Sequence, residues 1–153
     1  MLEIEKDRKT KTAVICPVIK TAAGMMTAEE EAARENEAVG LVLAMGQEVV
    51  FCETVRMSAI VPKSFFGKGT LERLKTACEE KGAELLVVDM PVSAVQQRNL
   101  EKMLNMKVID RTAVILEIFG QRAQTREGKL QVELAHLTYQ RGRLVRSWTH
   151  LER

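Results

Sequence analysis

The sequence predicts an α/β fold: a small four-stranded parallel sheet flanked by helices, followed by an antiparallel helical hairpin. Three observations support this fold class. Four short apolar runs alternate with amphipathic segments through the first 110 residues, which is the pattern of a parallel sheet with right-handed crossovers. The third run, AELLVVDM, is almost entirely apolar, as expected of a strand buried on both faces. After residue 110 no further strand pattern occurs, and apolar residues recur at helical spacing.

The four strands are predicted from apolar, β-branched runs. The first run, KTAVICPVI, contains Pro17, which we expect to end the strand because proline lacks a backbone N–H. The runs that predict these strands span 11–19, 47–57, 83–90 and 106–110.

The helices between these strands have recognisable start and stop signals. Two of them open with a capping box, in which a hydroxyl residue is followed three positions later by Glu or Gln; these pairs are Thr27 with Glu30 and Ser93 with Gln96. Gly82 closes the middle helix. The predicted helices cover 27–46, 70–82 and 93–105.

Residues 111–153 are predicted to form the hairpin, and residues 1–110 the α/β domain. Asp110 is expected to cap the first helix, and Gly128 to break the chain between the two helices. In the second helix an apolar seam follows three-and-four spacing for nearly three heptads, with Arg141 in the one missing place; its members are Leu130, Leu134, Leu137, Leu144, Trp148 and Leu151. We expect this seam to pack on the preceding helix.

The charge is unevenly distributed along the chain. The net charge is only +2, but residues 120–153 contain seven bases and three acids. Because acids are scarce there, pairing at i,i+4 cannot balance most of the bases. An unbalanced basic surface indicates a polyanionic partner, and the alternative is a solvated helix face. The hairpin cations are Arg122, Arg126, Lys129, Arg141, Arg143 and Arg146.

A glycine-rich loop, FGKGT, precedes the second helix at residues 66–70. It is not a P-loop, which needs G-x-x-x-x-G-K-[ST]. One hypothesis is a loop that offers Lys63, Lys68 and the adjacent aromatics Phe65 and Phe66 to RNA. The alternative is a flexible connection.

Asp89 and Asp110 end the third and fourth strands, where open α/β sheets bind ligands. They could hold a metal, act as an acid–base pair or contact a nucleotide. The alternative is structural: Asp110 caps a helix and Asp89 lies in the turn before Pro91. His136 and His150 are 14 residues apart, too far along one helix to share a metal.

Nothing in the composition indicates an extracellular or membrane protein. The chain has an odd number of cysteines, and they are widely spaced, at Cys16, Cys52 and Cys78. This pattern is typical of core residues in a protein from a reducing compartment. The start MLEIEKDRKTK is charged, and no apolar run is long enough to span a bilayer. We therefore expect a cytoplasmic protein without disulfide, metal or membrane contact.

Three stretches resemble the HflX family of ribosome-associated GTPases. They are FGKGTLERL (66–74), QQRNLE (96–101) and VIDRTAVILEIFGQRAQTREGKLQVELAHLTY (108–139), and the resemblance runs from about residue 35 to the end. It implies the family's N-terminal α/β domain and hairpin, which precede a GTPase domain and contact RNA of the large ribosomal subunit. By resemblance, the loop around Gly67, Lys68 and Gly69 and the basic hairpin face the RNA.

The departures from the family pattern also matter. The motifs of the GTPase domain, including N-K-x-D and D-x-x-G, are absent, so GTP and Mg²⁺ are implied only for a GTPase domain that this chain lacks. Thr70 stands where the family usually has a lysine, and Gly142 where many members have proline.

The resulting hypothesis is a non-catalytic module that binds ribosomal RNA, with no cofactor, through Lys63, Lys68 and the hairpin cations. One alternative is nucleotide or small-molecule binding at the carboxyl edge of the sheet. Another is dimerisation through the hairpin, and its own GTPase domain would be a further partner in a longer protein.

Overall fold

The computed structural model describes residues 8–20, 24, 26–123 and 126–151, without the side chains of Arg126 and residues 143–151. The strands are β1 (Lys11–Ile19), β2 (Glu48–Met57), β3 (Leu85–Val88) and β4 (Lys107–Asp110). The helices are α1 (Ala28–Ala44), α2 (Lys68–Lys81), α3 (Ala94–Leu104), α4 (Arg111–Arg122) and α5 (Arg126–Leu151).

The four strands form one parallel sheet in the order β2-β1-β3-β4. The connection from β2 to β3 passes over β1, which therefore becomes a central strand and is buried from Thr12 to Val18. The predicted fold class is confirmed: a four-stranded parallel sheet flanked by helices, with a helical hairpin after it.

The prediction that Pro17 ends the first strand is wrong, because β1 continues to Ile19. The backbone of residue 17 faces the β3 side of β1, since the Ile15 carbonyl accepts the Asp89 N–H on that side and alternate residues face the same neighbour. The ladder with β3 covers only Thr12 to Ile15. Proline's missing N–H thus faces a place where no partner strand remains, and no ladder bond is lost.

Two apolar cores lie on opposite faces of the sheet. One contains side chains of α2 and α3 together with Phe65 and Phe66. The other contains side chains of α1 and α4, with Tyr139 of α5 packed against it. The first helix of the hairpin is therefore part of the second core rather than an appendage to the sheet.

The predicted helix signals act as expected. Both capping boxes are formed, by Thr27 with Glu30 and by Ser93 with Gln96. Asp110 caps α4 by accepting the Ala113 N–H at 3.1 Å. Gly82 ends α2 in the left-handed conformation, at φ 68°, which glycine adopts without steric cost.

Helices α4 and α5 run antiparallel and meet through small and polar residues. A Cβ at Gly120 would lie 3.5 Å from Val132 and 3.8 Å from His136. The Nε2 atom of His136 lies 3.2 Å from the Leu116 carbonyl oxygen. The break between the helices is not at Gly128, which lies inside α5; α4 ends at Arg122, and α5 begins at Arg126.

The prediction that the leucine seam packs on α4 is wrong. Leu130, Leu134 and Leu137 are 55%, 65% and 58% exposed. Helix α5 contacts Gly120 of α4 through the face that carries Val132 and His136. With 3.6 residues per turn, the three leucines then lie on the opposite face of α5. The seam's remaining members, Leu144, Trp148 and Leu151, lie outside the described side chains.

We predict that Phe66→Ala lowers the free energy of unfolding by about 3–5 kcal/mol, as for large-to-small changes in cores. Phe66 is fully buried and packs edge-to-face on Phe65, with ring centroids 4.9 Å apart. Urea unfolding would measure the loss. Phe119→Ala is the matched control, since Phe119 is 57% exposed and should change stability by less than about 1 kcal/mol. Equal losses in both variants would contradict the buried position of the loop.

Candidate functional site

The loop between β2 and α2 is tightly hydrogen-bonded. Val61 and Phe65 exchange both of their backbone hydrogen bonds, at 3.0 and 2.8 Å. Helix α3 holds the loop from the side, because the Asn99 amide donates to the Lys63 carbonyl at 2.8 Å and the Gln96 amide to the Val61 carbonyl at 3.1 Å. The exposed Lys63 is therefore carried at the tip of a well-supported turn, which argues against a flexible connection.

The expectation that Phe65 and Phe66 face a partner is wrong. Both rings are fully buried in the core between the sheet and α2 and α3. Phe65 has a positive φ of 67°, which is strained for a bulky residue. The strained turn directs both aromatic side chains inward, and burial of two phenyl rings stabilises it.

Gly67, Lys68 and Gly69 begin helix α2 and are all exposed. Gly67 is the N-cap and provides no side-chain hydrogen bond, and the first turn carries no acid. The first N–H groups of α2 thus have no side-chain cap and lie next to Lys68, and uncapped helix N-termini can bind anions. No heavy atom lies within 4 Å of a Cβ placed at Gly67 or Gly69, so the space beside these two glycines is open.

Asp89 lies at the carboxyl edge of the sheet, but its side chain is fully engaged. It is 5% exposed, and its two carboxylate oxygens form ion pairs with Arg34 of α1 and Arg111 of α4, each at 3.1 Å. Arg34 also donates to the Asp89 carbonyl at 2.8 Å. Both Glu37 and Asp89 raise the pKa of Arg111 through hydrogen bonds. A free carboxylate pair for metal or nucleotide chemistry is therefore not formed here.

Asp110 has a structural role, as one of the two interpretations predicted. One oxygen accepts the Ala113 N–H at 3.1 Å and the Tyr139 hydroxyl at 2.8 Å, and the other accepts the Val92 N–H at 3.1 Å. The carboxylate thus joins α4, α5 and the segment before α3.

The hairpin cations fall at two ends of the molecule. Arg122 ends α4 beside the amino edge of the sheet, where Gln121 donates to the Met45 carbonyl ahead of β2. Exposed Lys129 lies in the first turns of α5, near the same edge. Arg141 is two residues beyond Tyr139, whose bond to Asp110 fixes it at the carboxyl edge. The side chains of Arg126, Arg143 and Arg146 lie outside the described residues.

The structure thus brings part of the predicted set together. Lys63, the Gly67–Gly69 turn and Arg141 lie at the carboxyl edge, whereas Arg122 and Lys129 lie towards the opposite edge. The sequence reasoning missed Arg98, which precedes the Asn99 that supports Lys63. Its only signal in the sequence is that it is a basic residue inside QQRNLE.

The remaining candidates do not form a site. Burial raises the pKa of Cys78 to about 11, and a hydrogen bond to Cys52 raises that of the buried Cys16, so these two thiols stay protonated. His136 is buried against α4. Among the described residues, no three His, Cys, Asp or Glu side chains are arranged to hold a metal ion.

Within the same residues, no helix has the length and apolarity needed to cross a bilayer.

Comparison with known proteins identifies the family. The family described as GTP-binding GTPase N-terminal matches residues 32–120, and the one described as GTP-binding GTPase middle region matches residues 122–153. The chain belongs to the HflX family. It corresponds to the N-terminal and middle regions of those proteins.

Relatives named GTPase HflX share substantial identity with this chain. That of Magnetococcus marinus is 52% identical over 118 residues, covering 77% of this chain and 27% of the relative. That of Escherichia coli is 47% identical over 118 residues, covering 77% and 28%. That of Treponema denticola is 39% identical, covering 95% and 40%. The chain therefore spans well under half the length of these HflX relatives.

A solved structure has the same fold. A GTP-binding protein from Sulfolobus solfataricus in complex with GDP superimposes with a TM-score of 0.66, at 21% identity, over 92% of this chain and 40% of that one. At this identity the likeness concerns the fold alone.

We predict that Asp89→Asn lowers the free energy of unfolding by about 3 kcal/mol, near the low end for breaking a buried ion pair. The loss is limited because Arg34 and Arg111 keep 21% and 38% side-chain exposure. Thermal or urea unfolding would measure it. Glu37→Gln is the control, because its pair with Arg111 is exposed and contributes less than about 1 kcal/mol. A loss no greater than the control's would show that the network contributes little.

Proposed function

We propose that this region is a non-catalytic RNA-binding module of an HflX-type GTP-binding protein, and that it docks on RNA of the large ribosomal subunit. Family membership supports the choice of partner class. The charges of the described residues support the surface, and the pairing of the arginines carries the proposal.

The arginines divide into two groups. Arginines of the α/β body and of the start of α4 form ion pairs with carboxylates; they are Arg8, Arg34, Arg56, Arg73 and Arg111. Arg98, Arg122 and Arg141 form no ion pair with any residue in the described ranges. The arginines of the first group are neutralised by nearby carboxylates. The guanidinium groups of Arg98, Arg122 and Arg141 are available to an external anion.

The carboxyl edge offers the best-built anion contacts. Lys63 stands on a turn held by α3, and Lys68 lies beside the uncapped amides that begin α2. Phosphate oxygens accept hydrogen bonds from such amides while the two ammonium groups neutralise charge. Neither lysine forms an ion pair with a carboxylate among the described residues. Binding of a phosphate group would therefore break no internal ion pair.

GTP and Mg²⁺ have no assigned residue in this proposal. The relatives are named GTPases, and we assign hydrolysis to the larger part of their length that this chain does not match. Arg122 and Lys129 form a second candidate contact, separated from the first by the length of α4 and tested on its own.

We predict that Lys63→Glu with Lys68→Glu weakens co-sedimentation with purified large ribosomal subunits at low salt. Losing two phosphate contacts should also reduce the slope of log Kd against log salt by about 1.5. The parent chain should bind the large subunit in preference to the small one and dissociate steeply as salt rises.

The matched control is Lys9→Glu with Lys81→Glu, which changes charge equally at the amino edge of the sheet. It should retain binding and the original salt slope. Arg122→Glu with Lys129→Glu then reports whether the far end of the hairpin contributes. If the parent chain does not bind at low salt, or if the amino-edge variant loses as much binding as the carboxyl-edge one, the proposed surface is wrong.

A further inference from the structure

Helix α5 presents an apolar stripe that no described residue covers. Leu130, Leu134 and Leu137 are each more than half exposed. Taking about 100° per residue, the centre of this leucine stripe lies roughly 160° around the helix from the face that contacts α4. A soluble domain rarely exposes several large apolar residues in a row on one helix. The stripe therefore has the features of a contact surface.

The stripe has the repeat of a coiled coil rather than that of a globular-core face. Leu130 and Leu137 are seven residues apart, and the sequence continues the interval to Leu144 and Leu151. Such leucines take the d positions of a heptad, and Leu134, Arg141 and Trp148 then take the a positions. The 26 residues of α5 extend about 39 Å, which is long enough for three heptads.

The charges around the stripe are complementary to those of a reversed copy of itself. Glu127 and Glu133 are exposed near its N-terminal end, and Arg141 is exposed at its C-terminal end. None of the three forms an ion pair with another described residue. In a parallel pair the two Arg141 side chains would face each other in the seam, and like charges there oppose association.

An antiparallel pair resolves this conflict. If Leu134 of one copy lies beside Leu137 of the other, Arg141 of each copy lies opposite Leu130. Glu127 and Glu133 of the other copy are then each about 4.5 Å away along the axis, or three residues of helix rise. Arg141 thus meets two carboxylates of the other copy, and the same contacts are repeated at the symmetry-related end.

We propose that the leucine stripe of α5 binds a second copy of this chain in an antiparallel, two-fold symmetric dimer. The two α5 helices lie at the centre, and each α4 lies on the outside, on the opposite face of its own α5. This surface is separate from the Lys63 and Lys68 contacts, so the dimer and the RNA-binding proposal can fail independently.

Sedimentation equilibrium from low micromolar to near-millimolar concentration tests the proposal. The mass should rise from 17.2 kDa towards twice that value. Leu134→Glu should raise the dimer Kd by at least about tenfold, because it places a charge in the central layer. Leu43→Glu is the matched control, since Leu43 is 57% exposed on α1, and it should leave the Kd unchanged. Circular dichroism confirms that both variants are folded.

The orientation is tested by charge exchange. Arg141→Glu should weaken the antiparallel dimer, and adding Glu133→Arg to it should restore the affinity, whereas a parallel dimer would keep like charges at position 141 in both cases. A chain that stays monomeric throughout the range would overturn the proposal, and the stripe would then belong to another occupant. A dimer unaffected by Leu134→Glu, or one that the double variant does not restore, would overturn it equally.

Discussion

The carboxylate of Asp110 forms hydrogen bonds with three segments at the point where β4 ends. It caps α4, accepts the N–H of Val92 ahead of α3, and accepts the hydroxyl of Tyr139 on α5. Asp110 is 3% exposed, and an ionised carboxylate at such a depth is costly unless donors satisfy it. Because three donors from separate segments must converge on it, this group fixes how the hairpin meets the sheet.

That junction determines where the proposed binding surfaces lie. With Tyr139 held at the carboxyl edge, the part of α5 that follows extends beyond the sheet on the side of the Lys63 turn. At the same edge, Asp89 is closed over by Arg34 and Arg111. At this edge the exposed Lys63 and Lys68 accompany an ion-pair network in which the Asp89 carboxylate is already engaged.

Features coded by neighbouring residues could be predicted from the sequence. The capping boxes, the glycine end of α2 and the cap at Asp110 depend on residues within a few positions of each other, and all four formed. The local signals at Pro17 and Gly128 failed, because β1 and α5 continue through them. Other features that failed depend on distant partners. The arginines that occupy Asp89 come from 55 and 22 residues away, and no local pattern reveals them. Phe65 and Phe66 look exposed because they border a glycine turn, yet a strained φ directs them into the core.

The leucine seam shows a different limit. A heptad pattern predicts that one face of a helix packs against a partner, but it does not indicate which element or molecule that partner is. At Gly120, α4 is in close contact with the face of α5 that carries Val132 and His136. Because this face of α5 contacts α4, the leucines lie on the exposed side of the helix. Contacts among the described residues of one chain therefore do not account for the heptad spacing of the leucines.

The proposed RNA surface and the leucine stripe of α5 should respond to salt in opposite directions. Contacts with phosphates weaken as salt rises, because counterions are released when they form. Contacts between leucine stripes do not involve counterions, and excluded salts such as sulfate strengthen apolar burial. Raising salt should therefore favour association of the chain with itself while disfavouring association with RNA. The flanking pairs of Arg141 with Glu127 and Glu133 add only a small opposing trend, since exposed ion pairs contribute little and are screened. Varying the ionic strength should therefore distinguish RNA binding from dimerisation without any substitution.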